Sequence, residues 1–477
     1  MFYLGYVVLN SRTAYGKNKK NVTYYAFKPI HQEHEELMIV PYKKSSKEEQ
    51  TNVYIVATKN ENQSQTQHIV MTIHQILGPV GDPEAEQKYL LHKHSLIPLI
   101  KKPRIQPKQY LQSIIDEEII KRNSKIKEAY TIDPEGSQDH DDAISITINE
   151  DETKTIGVHI ADVSFLVSPD SELDKYAKES NYTTVYPSTI NPLNMLPSYV
   201  CNELLSLKEK ANKLCVSVYY TYTKENILKD KKIARDTVLV IKNCTYDNVK
   251  KEMPKQQWKA LQTIAQTSDS HKIVEYFMLQ TNEYIAQVLA QKNSEECILR
   301  MQDEAHEQET ENEFYKQLCS NRAEYILGTK NNKKGHMSLQ KDYYTHFTSP
   351  LRRYADIIAH RQLFLQNYKA PEKIIKNINE INKRCSKLKS DEYKLQLIYD
   401  LEERWKTSST PIYLEAIVMI IEEEYIFVHT KYKEKDFLLR IKTEKEVKQF
   451  QKLKIEIIPY LCASIFSKKL KLKVVNI

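Results

Sequence analysis

Glycine is scarce in this sequence, with only 8 among 477 residues. The glycine-rich loops that hold nucleotide phosphates need several glycines at fixed spacing, because the backbone must approach the phosphate closely. Neither G-x-x-x-x-G-K-[ST] nor G-x-G-x-x-G occurs in the chain. The sequence therefore argues against a P-loop NTPase and against a dinucleotide-binding enzyme.

Long apolar runs and paired cysteines are also missing. No stretch reaches the roughly 20 consecutive apolar residues of a membrane span, and the first basic cluster follows an apolar start, the reverse of a secretory signal. The 7 cysteines are scattered and never spaced as C-x-x-C, so they indicate neither a disulfide framework nor a zinc knuckle. We therefore expect a globular protein with no membrane association, located in a reducing intracellular compartment and in the first place in the cytoplasm.

The charges that are present nearly balance. Lysine and arginine number 70 against 63 aspartates and glutamates, which leaves a net charge of +7. So small an excess is only a weak indication of a polyanionic partner.

The patterns along the chain predict three folded parts. Short alternating strands separated by polar turns predict a small β-barrel over residues 1–97. Three prolines in residues 98–109 exclude a regular helix there and indicate a linker. Residues 110–406 show strands first and helices later, and residues 411–477 return to strands. The predicted fold class is a multidomain α+β protein, in which small β-barrels flank a large central domain.

Local patterns give finer predictions. The first strand of the N-terminal barrel is predicted at Tyr6–Leu9. Isoleucines alternate with polar residues over 144–148, which predicts a strand with one buried face, and residues 155–163 are predicted to be its hairpin partner. Helical spacing of the apolar residues predicts a helix over residues 273–292.

The last strand carries its charge on alternate positions. Lys469, Lys471 and Lys473 alternate with apolar residues, which predicts one apolar face and one row of ammonium groups. Such a strand is either a sheet edge protected by lysines or an RNA-binding surface.

Negative charge is concentrated in TIDPEGSQDHDDA, residues 131–143. Each uncompensated carboxylate raises the cost of ionising its neighbours, so the cluster needs a cation or water. An EF-hand is excluded because the proline and the glycine fall at the wrong positions. Carboxylates without suitably spaced histidine or cysteine partners favour Mg²⁺ or Mn²⁺, and the alternative is a solvated acidic loop. Four aspartates are candidate ligands: Asp133, Asp139, Asp141 and Asp142.

A second stretch, YYTHFTSPLRRYADIIAHR at residues 343–361, has the signals of a helix start. Ser349 suits an N-cap and Pro350 a first turn, which predicts a helix beginning near Leu351. The spacing would then place three side chains on one helix face: Arg352, Asp356 and His360. Free backbone N–H groups, the hydroxyls of Thr348 and Ser349 and two guanidiniums would form a phosphate-binding site. The alternative is an ordinary capped helix with an Arg352–Asp356 ion pair.

Together the two stretches resemble the two most specific motifs of the ribonuclease II and ribonuclease R family, which includes the catalytic nuclease of the eukaryotic exosome. The similarity continues across residues 131–405 and takes in HIADVS (159–164), VYPSTINPLNMLP (185–197) and GHMSLQKDYYTHFTSPLRRYADIIAHR (335–361). The resemblance implies an RNB catalytic domain at 110–406, between an OB-fold barrel of the cold-shock type at 1–97 and a C-terminal OB-fold RNA-binding domain at 411–477.

The resemblance also implies an activity and a set of site residues. Family members hydrolyse single-stranded RNA processively from the 3′ end and release nucleoside 5′-monophosphates. By this resemblance Asp133 and Asp142 are the principal Mg²⁺ ligands, with Mn²⁺ as a possible substitute, and Asp139 is an additional ligand that also serves catalysis. Asp141 stands at the metal site and is most directly tied to cleavage, and Arg352 steadies the scissile phosphate. The implied RNA contacts are the aromatic clamp Tyr186 together with His346, Thr348, Ser349, Arg353 and Glu403.

Two other functions stay open at this point. One is an RNA-binding scaffold of the same fold with an inactive nuclease centre, and the other is a metal phosphatase or endonuclease acting on another phosphodiester. The expected partner is single-stranded RNA. The sequence does not reveal protein partners or the oligomeric state, and a monomer is kept as an open expectation. His140 is given no role.

Overall fold

The computed structural model describes residues 1–11, 13–30, 36–44, 51–60, 68–97, 102–122, 127–303, 312–320, 322–328, 335–408, 410–443 and 446–476. Part of the predicted linker, residues 98–101, lies outside them. Within the described ranges no helix is both long enough and apolar enough to cross a lipid bilayer. In these ranges the strands form two closed five-stranded barrels, a two-stranded ribbon and one more five-stranded sheet. This arrangement confirms the predicted α+β fold class.

The N-terminal part is a closed barrel with the strand order β1-β2-β3-β5-β4. Its strands are β1 (Phe2–Val7), β2 (Tyr24–Pro29), β3 (Met38–Pro41), β4 (Val53–Lys59) and β5 (Ile69–Pro79). The first strand begins at Phe2 rather than at the predicted Tyr6, because it pairs along its whole length with β4. Helix α1 (Pro83–Lys93) follows at once, with the Asp82 carboxylate capping its first turn.

The central barrel has the strand order β10-β6-β7-β8-β9, in which β10 and β6 run parallel. Its strands are β6 (Lys127–Asp133), β7 (Asp142–Ile148), β8 (Lys154–Ala161), β9 (Ala211–Tyr222) and β10 (Leu228–Thr245). The predicted hairpin between β7 and β8 is present. Strand β7 was expected to bury one face only, but Ser145 on its other face is buried too, since His159 hydrogen-bonds it at 2.8 Å. Gly157 leaves room for that ring, because a Cβ there would lie 2.6 Å from His159 Nε2.

Helices pack around this barrel, and all of them except the helix at Glu313–Cys319 contribute residues to its hydrophobic core. They are α2 (Lys108–Arg122), α3 (Val163–Leu166), α4 (Glu172–Glu179), α5 (Val249–Glu252), α6 (Lys255–Ala265), α7 (Ser270–Lys292), α8 (Glu313–Cys319), α9 (Tyr354–Phe364) and α10 (Glu372–Ser408). Short helical turns stand at Val200–Leu204, Met337–Leu339 and Phe466–Lys468, and β11 (Ile298–Met301) pairs with β12 (Glu324–Leu327). Helix α10 is 37 residues long and contributes Leu395 to the core next to α1 and Leu401 to the core of the last domain. It therefore packs against both flanking domains.

The C-terminal sheet has the order β15-β14-β13-β16-β17. Its strands are β13 (Ile412–Ile421), β14 (Tyr425–Tyr432), β15 (Lys435–Lys442), β16 (Lys452–Pro459) and β17 (Leu470–Asn476). Lys471 and Lys473 are exposed, as the alternation predicts. Lys469 is not part of that row: it is fully buried and pairs with Glu86 of α1 at 2.9 Å. This lysine ties the C-terminal domain to the N-terminal one.

Candidate active site

The aspartate-rich loop joins two neighbouring strands of the central barrel. Asp133 is the last residue of β6 and Asp142 the first of β7. The chain reverses in a turn closed by the Ser137 N–H and the Pro134 carbonyl, in which Gly136 has a φ of +82°. Glycine adopts that conformation without the Cβ penalty, so the residue type suits the turn.

Ser206 holds the rest of this loop in place. Its hydroxyl accepts a hydrogen bond from the His140 N–H at 3.0 Å and donates one to the Gln138 carbonyl at 3.0 Å. The Leu207 N–H donates to the His140 carbonyl, also at 3.0 Å. These hydrogen bonds fix the loop backbone against a distant segment, since Ser206 lies 66 residues after His140 in the sequence.

Asp141 links the two motifs. Its carboxylate accepts hydrogen bonds from the Leu351 N–H at 2.8 Å and from Arg352 Nε at 3.1 Å, across more than 200 residues of sequence. Burial raises the pKa of Asp141 to about 7, although Arg352 and the Leu351 N–H oppose the rise. The fold therefore brings the aspartate loop and the TSPLRR turn together at one point.

The predicted helix start is wrong by three residues. Helix α9 begins at Tyr354, with Arg353 at its N-cap, so Arg352 precedes the helix. The Ser349 N–H, expected to be free for phosphate, donates instead to Asp356 Oδ1 at 2.7 Å. Asp356 also accepts from Arg353 at 2.8 Å, so the predicted Arg352–Asp356 pair does not form. Sequence spacing missed this because the chain makes a separate turn at residues 349–353 before the helix.

The side chains of His360, Thr348 and Ser349 are packed behind this turn. His360 donates to the Phe347 carbonyl at 3.0 Å and stacks on the Phe347 ring at 4.0 Å. Thr348 and Ser349 are both buried, and the Ser349 hydroxyl accepts from Arg352 at 3.0 Å. The Ser349 hydroxyl thus orients the same guanidinium that contacts Asp141.

The two outer aspartates of the loop differ in their partners. Asp133 Oδ2 accepts from His140 Nδ1 at 2.6 Å, and the His140 ring is almost fully buried. Asp142 has no hydrogen-bond donor among the described contacts, and burial together with the charges of Asp133 and Asp141 raises its pKa well above the usual range. A negative group in that position is stabilised by an added cation.

Asp139 faces a cavity that also contains Tyr186. The phenol of Tyr186 donates to Asp139 Oδ2 at 2.7 Å. Burial and the negative charge of Asp139 raise the pKa of the Tyr186 phenol. The cavity has a volume of about 610 Å³, and amides and hydroxyls line much of it: Ser137, Gln138, Asn191, Asn194, Ser198 and Asn202. Tyr186 is 45% exposed, so its ring is accessible from this cavity.

The remaining predicted RNA contacts separate into two places. His346 and Arg353 lie near Arg352, and burial and these two arginines hold the pKa of His346 well below its usual range. Tyr325 contacts His346 Nδ1 at 2.5 Å. Glu403 lies elsewhere: it is exposed near the end of α10, and its charge acts on Lys433 of the C-terminal domain.

The loop fits a divalent cation by its chemistry rather than by a preformed cage. Among the described residues no group of three or more histidine, cysteine, aspartate or glutamate side chains is arranged as a metal site. The carboxylates of Asp133 and Asp142 nevertheless repel each other, so a cation between them would be stabilising. Their oxygens are the hard donors that Mg²⁺ and Mn²⁺ prefer. Magnesium keeps several waters, so two carboxylates suffice to hold it.

Three residues at the site were not predicted from the sequence. His140 orients Asp133, Ser206 fixes the loop, and Tyr246 lies close enough for Asp142 and Asp133 to raise its pKa to about 12 together with burial. His140 stands inside the motif, so its position was a clue to a role. Ser206 and Tyr246 come from distant segments that only the folded chain brings near.

The comparisons with known proteins agree with this geometry. Residues 122–265 and 311–369 match the RNB domain. These residues are therefore similar to an RNB domain, and the predicted resemblance to the ribonuclease II and ribonuclease R family is confirmed. One relative is "Ribonuclease R" of Chlamydia pneumoniae, which is 31% identical over 312 residues, covering 49% of this chain and 46% of the relative. The chain thus spans about half the length of the curated relatives that it matches.

Two solved structures share the fold. Mycoplasma genitalium RNase R in complex with ribose methylated single-stranded RNA matches with a TM-score of 0.71 at 18% identity, covering all of this chain and 90% of that one. Yeast Ssd1, a pseudonuclease, matches with a TM-score of 0.63 at 16% identity, covering 93% of this chain and 65% of that one. The predicted order of a barrel, an RNB domain and a second OB-like domain is confirmed as a fold.

Proposed function

We propose that this chain is a 3′→5′ exoribonuclease that hydrolyses single-stranded RNA processively, with a divalent metal ion, to nucleoside 5′-monophosphates. One observation supports this most directly: the carboxylate of Asp141 and the guanidinium of Arg352 meet at 3.1 Å beside the aspartate loop. An acidic group and a partly exposed arginine at one point suit a phosphodiester, because the arginine neutralises charge on the phosphate.

Each site residue has a role in the proposal. Asp133 and Asp142 would hold the metal, which we propose to be Mg²⁺ or Mn²⁺, and Asp139 would assist them. The metal, when bound, supplies an acidified water and charge stabilisation at the phosphate. Arg352, which is 43% exposed, would bind the scissile phosphate and stabilise the negative charge that develops on it, and Asp141 would orient Arg352.

Tyr186 would stack on the terminal base. Its ring faces the cavity beside Asp139, and its phenol is anchored on that carboxylate. Base–aromatic stacking is tolerant of sequence, as a degradative exonuclease requires. We assign His346, Thr348, Ser349 and Arg353 to the support of this site rather than to direct RNA contact.

The RNA partner is proposed from the relatives and from the flanking domains. Mycoplasma genitalium RNase R, which has the same fold, is in complex with single-stranded RNA. We assign residues 110–406 to catalysis, 1–97 and 411–477 to RNA binding and 98–109 to the connection between them. The 7 free cysteines suit a reducing compartment such as the cytoplasm.

A second candidate function is an inactive RNA-binding scaffold, because the yeast pseudonuclease Ssd1 has a similar fold. The presence of all four loop aspartates and of Arg352 argues against this alternative. A decayed nuclease centre has no need to keep a buried carboxylate with a raised pKa.

A time course on 5′-labelled single-stranded RNA tests the proposal. We expect a ladder that shortens to a small end product with Mg²⁺ or Mn²⁺ and no cleavage with excess chelator. RNA binding without any cleavage would support the scaffold instead, and internal cuts would indicate an endonuclease. Full activity in excess chelator would contradict the metal assignment.

A further inference from the structure

The outward face of strands β14 and β15 has the composition of a surface that binds single-stranded nucleic acid. Alternate residues of β14 point away from the core, which contains Val428 and its neighbours. The outward residues on the two strands are Tyr425, Phe427, His429 and Lys431, opposite Lys442, Arg440, Leu438 and Asp436. Rings for base stacking and cations for phosphates therefore alternate across one face.

The cations on this face are placed over the rings. The guanidinium carbon of Arg440 lies 3.7 Å from the ring centroid of Tyr425 and 6.0 Å from that of Phe427. Two glutamates also lie near these cations, Glu422 at 3.8 Å from Arg440 and Glu424 at 3.1 Å from Lys442. The outward carboxylate of Asp436 is held by His429 at 2.6 Å and lies 3.8 Å from Lys431. The charge of this carboxylate is thus compensated from within the protein.

A ring from the RNB domain already occupies one stacking position. Phe314 of α8 stacks on His429 with a centroid distance of 3.8 Å and an angle of 15° between the planes. This parallel arrangement is the geometry of a base stacked on an aromatic side chain. The next residue, Tyr315, contacts Phe450 edge to face at 5.1 Å, so α8 rests on the C-terminal domain through two rings.

We infer that Phe314 is an intramolecular substitute for a nucleobase, so that α8 covers the base-binding position on His429 and RNA displaces it. The inference rests on the proposed function, because it takes single-stranded RNA as the ligand of this face. Binding of RNA by the C-terminal domain would then release a helix that belongs to the RNB domain. Such a competition couples RNA engagement at the outer domain to a change beside the catalytic domain.

The test measures the affinity of the full chain for a 5′-labelled oligouridylate of about 30 nucleotides, longer than the roughly 4–16 nucleotides that one OB fold covers. Chelator prevents cleavage during the measurement. The variant Phe314→Leu keeps an apolar side chain but removes the ring, and we expect it to bind about fivefold more tightly, since it frees one stacking position. Cys319→Ser, an exposed position on the same helix where no charge changes, is the matched control and should bind as the parent does.

A second variant locates the effect. In a chain that already carries His429→Ala, Phe314→Leu should produce no gain, because the stacking partner is gone. Unchanged or weaker binding by Phe314→Leu would overturn the inference, and so would a full gain in the His429→Ala background. Loss of laddering on RNA would instead contradict the proposed nuclease, which this binding measurement does not test.

Hydrogen exchange checks the displacement without any substitution. Saturating oligouridylate should accelerate exchange at the amides of α8, because the helix leaves its support on the sheet. Slower exchange at α8 on RNA binding would mean that the helix stays in place, and would overturn the inference.

Discussion

Two sets of buried carboxylates in the RNB domain show opposite electrostatics. Asp141 and Asp142 at the site have raised pKa values, whereas Asp162 and Asp174 in the scaffold have lowered ones. Burial opposes ionisation in all four, so desolvation does not explain the difference.

The number of nearby cations explains the difference between the raised and the lowered pKa values. Asp162 is bound by Arg122 at 2.5 Å and by Arg235 at 2.8 Å. Asp174 is bound by Arg361 at 2.6 Å and by Lys178 at 2.7 Å. The chain compensates its scaffold carboxylates from within, while the site has one arginine contact for its group of aspartates. The comparison teaches that the site lacks a positive charge that an external cation can supply.

The largest expected effect comes from Asp141→Asn, which removes a site charge. We expect cleavage to slow by at least about 10²–10³-fold, the typical effect of one preorganised electrostatic group. RNA affinity and the free energy of unfolding should stay at the parental level or rise, because a costly buried charge is lost. Rates from labelled RNA, anisotropy and denaturant melts measure the three quantities.

The matched control is Asp151→Asn in the exposed turn between β7 and β8, where the same chemical change should leave all three quantities unaltered. Near-normal cleavage by a folded Asp141→Asn protein would show that the loop is not the catalytic centre.

In the scaffold the same substitution should act on stability. Asp174→Asn leaves Arg361 without its buried counter-charge, and we expect the free energy of unfolding to fall by about 3 kcal/mol. The pKa of Asp174 in the folded protein is lowered from 3.8. The Asp174–Arg361 ion pair therefore stabilises the protein fully above pH 3.8, and this stabilisation is lost as the pH falls through the lowered pKa. Denaturant melts at several pH values should therefore show a smaller acid loss in Asp174→Asn than in the parent.

Asp170→Asn is the control for this comparison, because its carboxylate is 88% exposed. An equal loss of stability in both variants would contradict the distinction between compensated and surface carboxylates.

A smaller effect is expected from His140→Ala, which frees Asp133 without altering any aspartate. Removing the group that orients a metal ligand typically weakens metal binding by about 10–100-fold. The Mg²⁺ concentration for half-maximal cleavage should rise by that factor while the rate at saturating Mg²⁺ changes little. His74→Ala in the N-terminal barrel should leave the titration unchanged, and an unshifted titration for His140→Ala would make the histidine a packing residue only.

The smallest effect is expected from Tyr186→Phe. The change removes the hydrogen bond to Asp139, worth about 1 kcal/mol, and keeps the ring. Cleavage should slow by only a few-fold, with an end product of parental length. Tyr186→Ala removes the stack of roughly 1–3 kcal/mol as well and should alter the length of the end product. Identical products from both variants and the parent would return Tyr186 to a structural role.

Local patterns were sufficient for much of the fold. Alternation predicted the β7–β8 hairpin and the strands of the flanking domains, since a half-buried strand must alternate. The helical spacing of residues 273–292 predicted α7, which extends over Ser270–Lys292. The two motifs and their resemblance to one family indicated the site residues Asp133, Asp141 and Arg352, because such chemistry depends on residue type and short spacing.

Only the tertiary structure decided which of these residues meet and how. The helix start moved to Tyr354 because Asp356 captures the Ser349 N–H and Arg353, contacts that propensity rules do not include. Lys469 left the predicted row of exposed lysines because Glu86, nearly 400 residues earlier in the sequence, lies 2.9 Å away in the fold. The sequence by itself determined the kinds of groups present, whereas charge compensation depends on distances through space, and these exist only once the domains have packed.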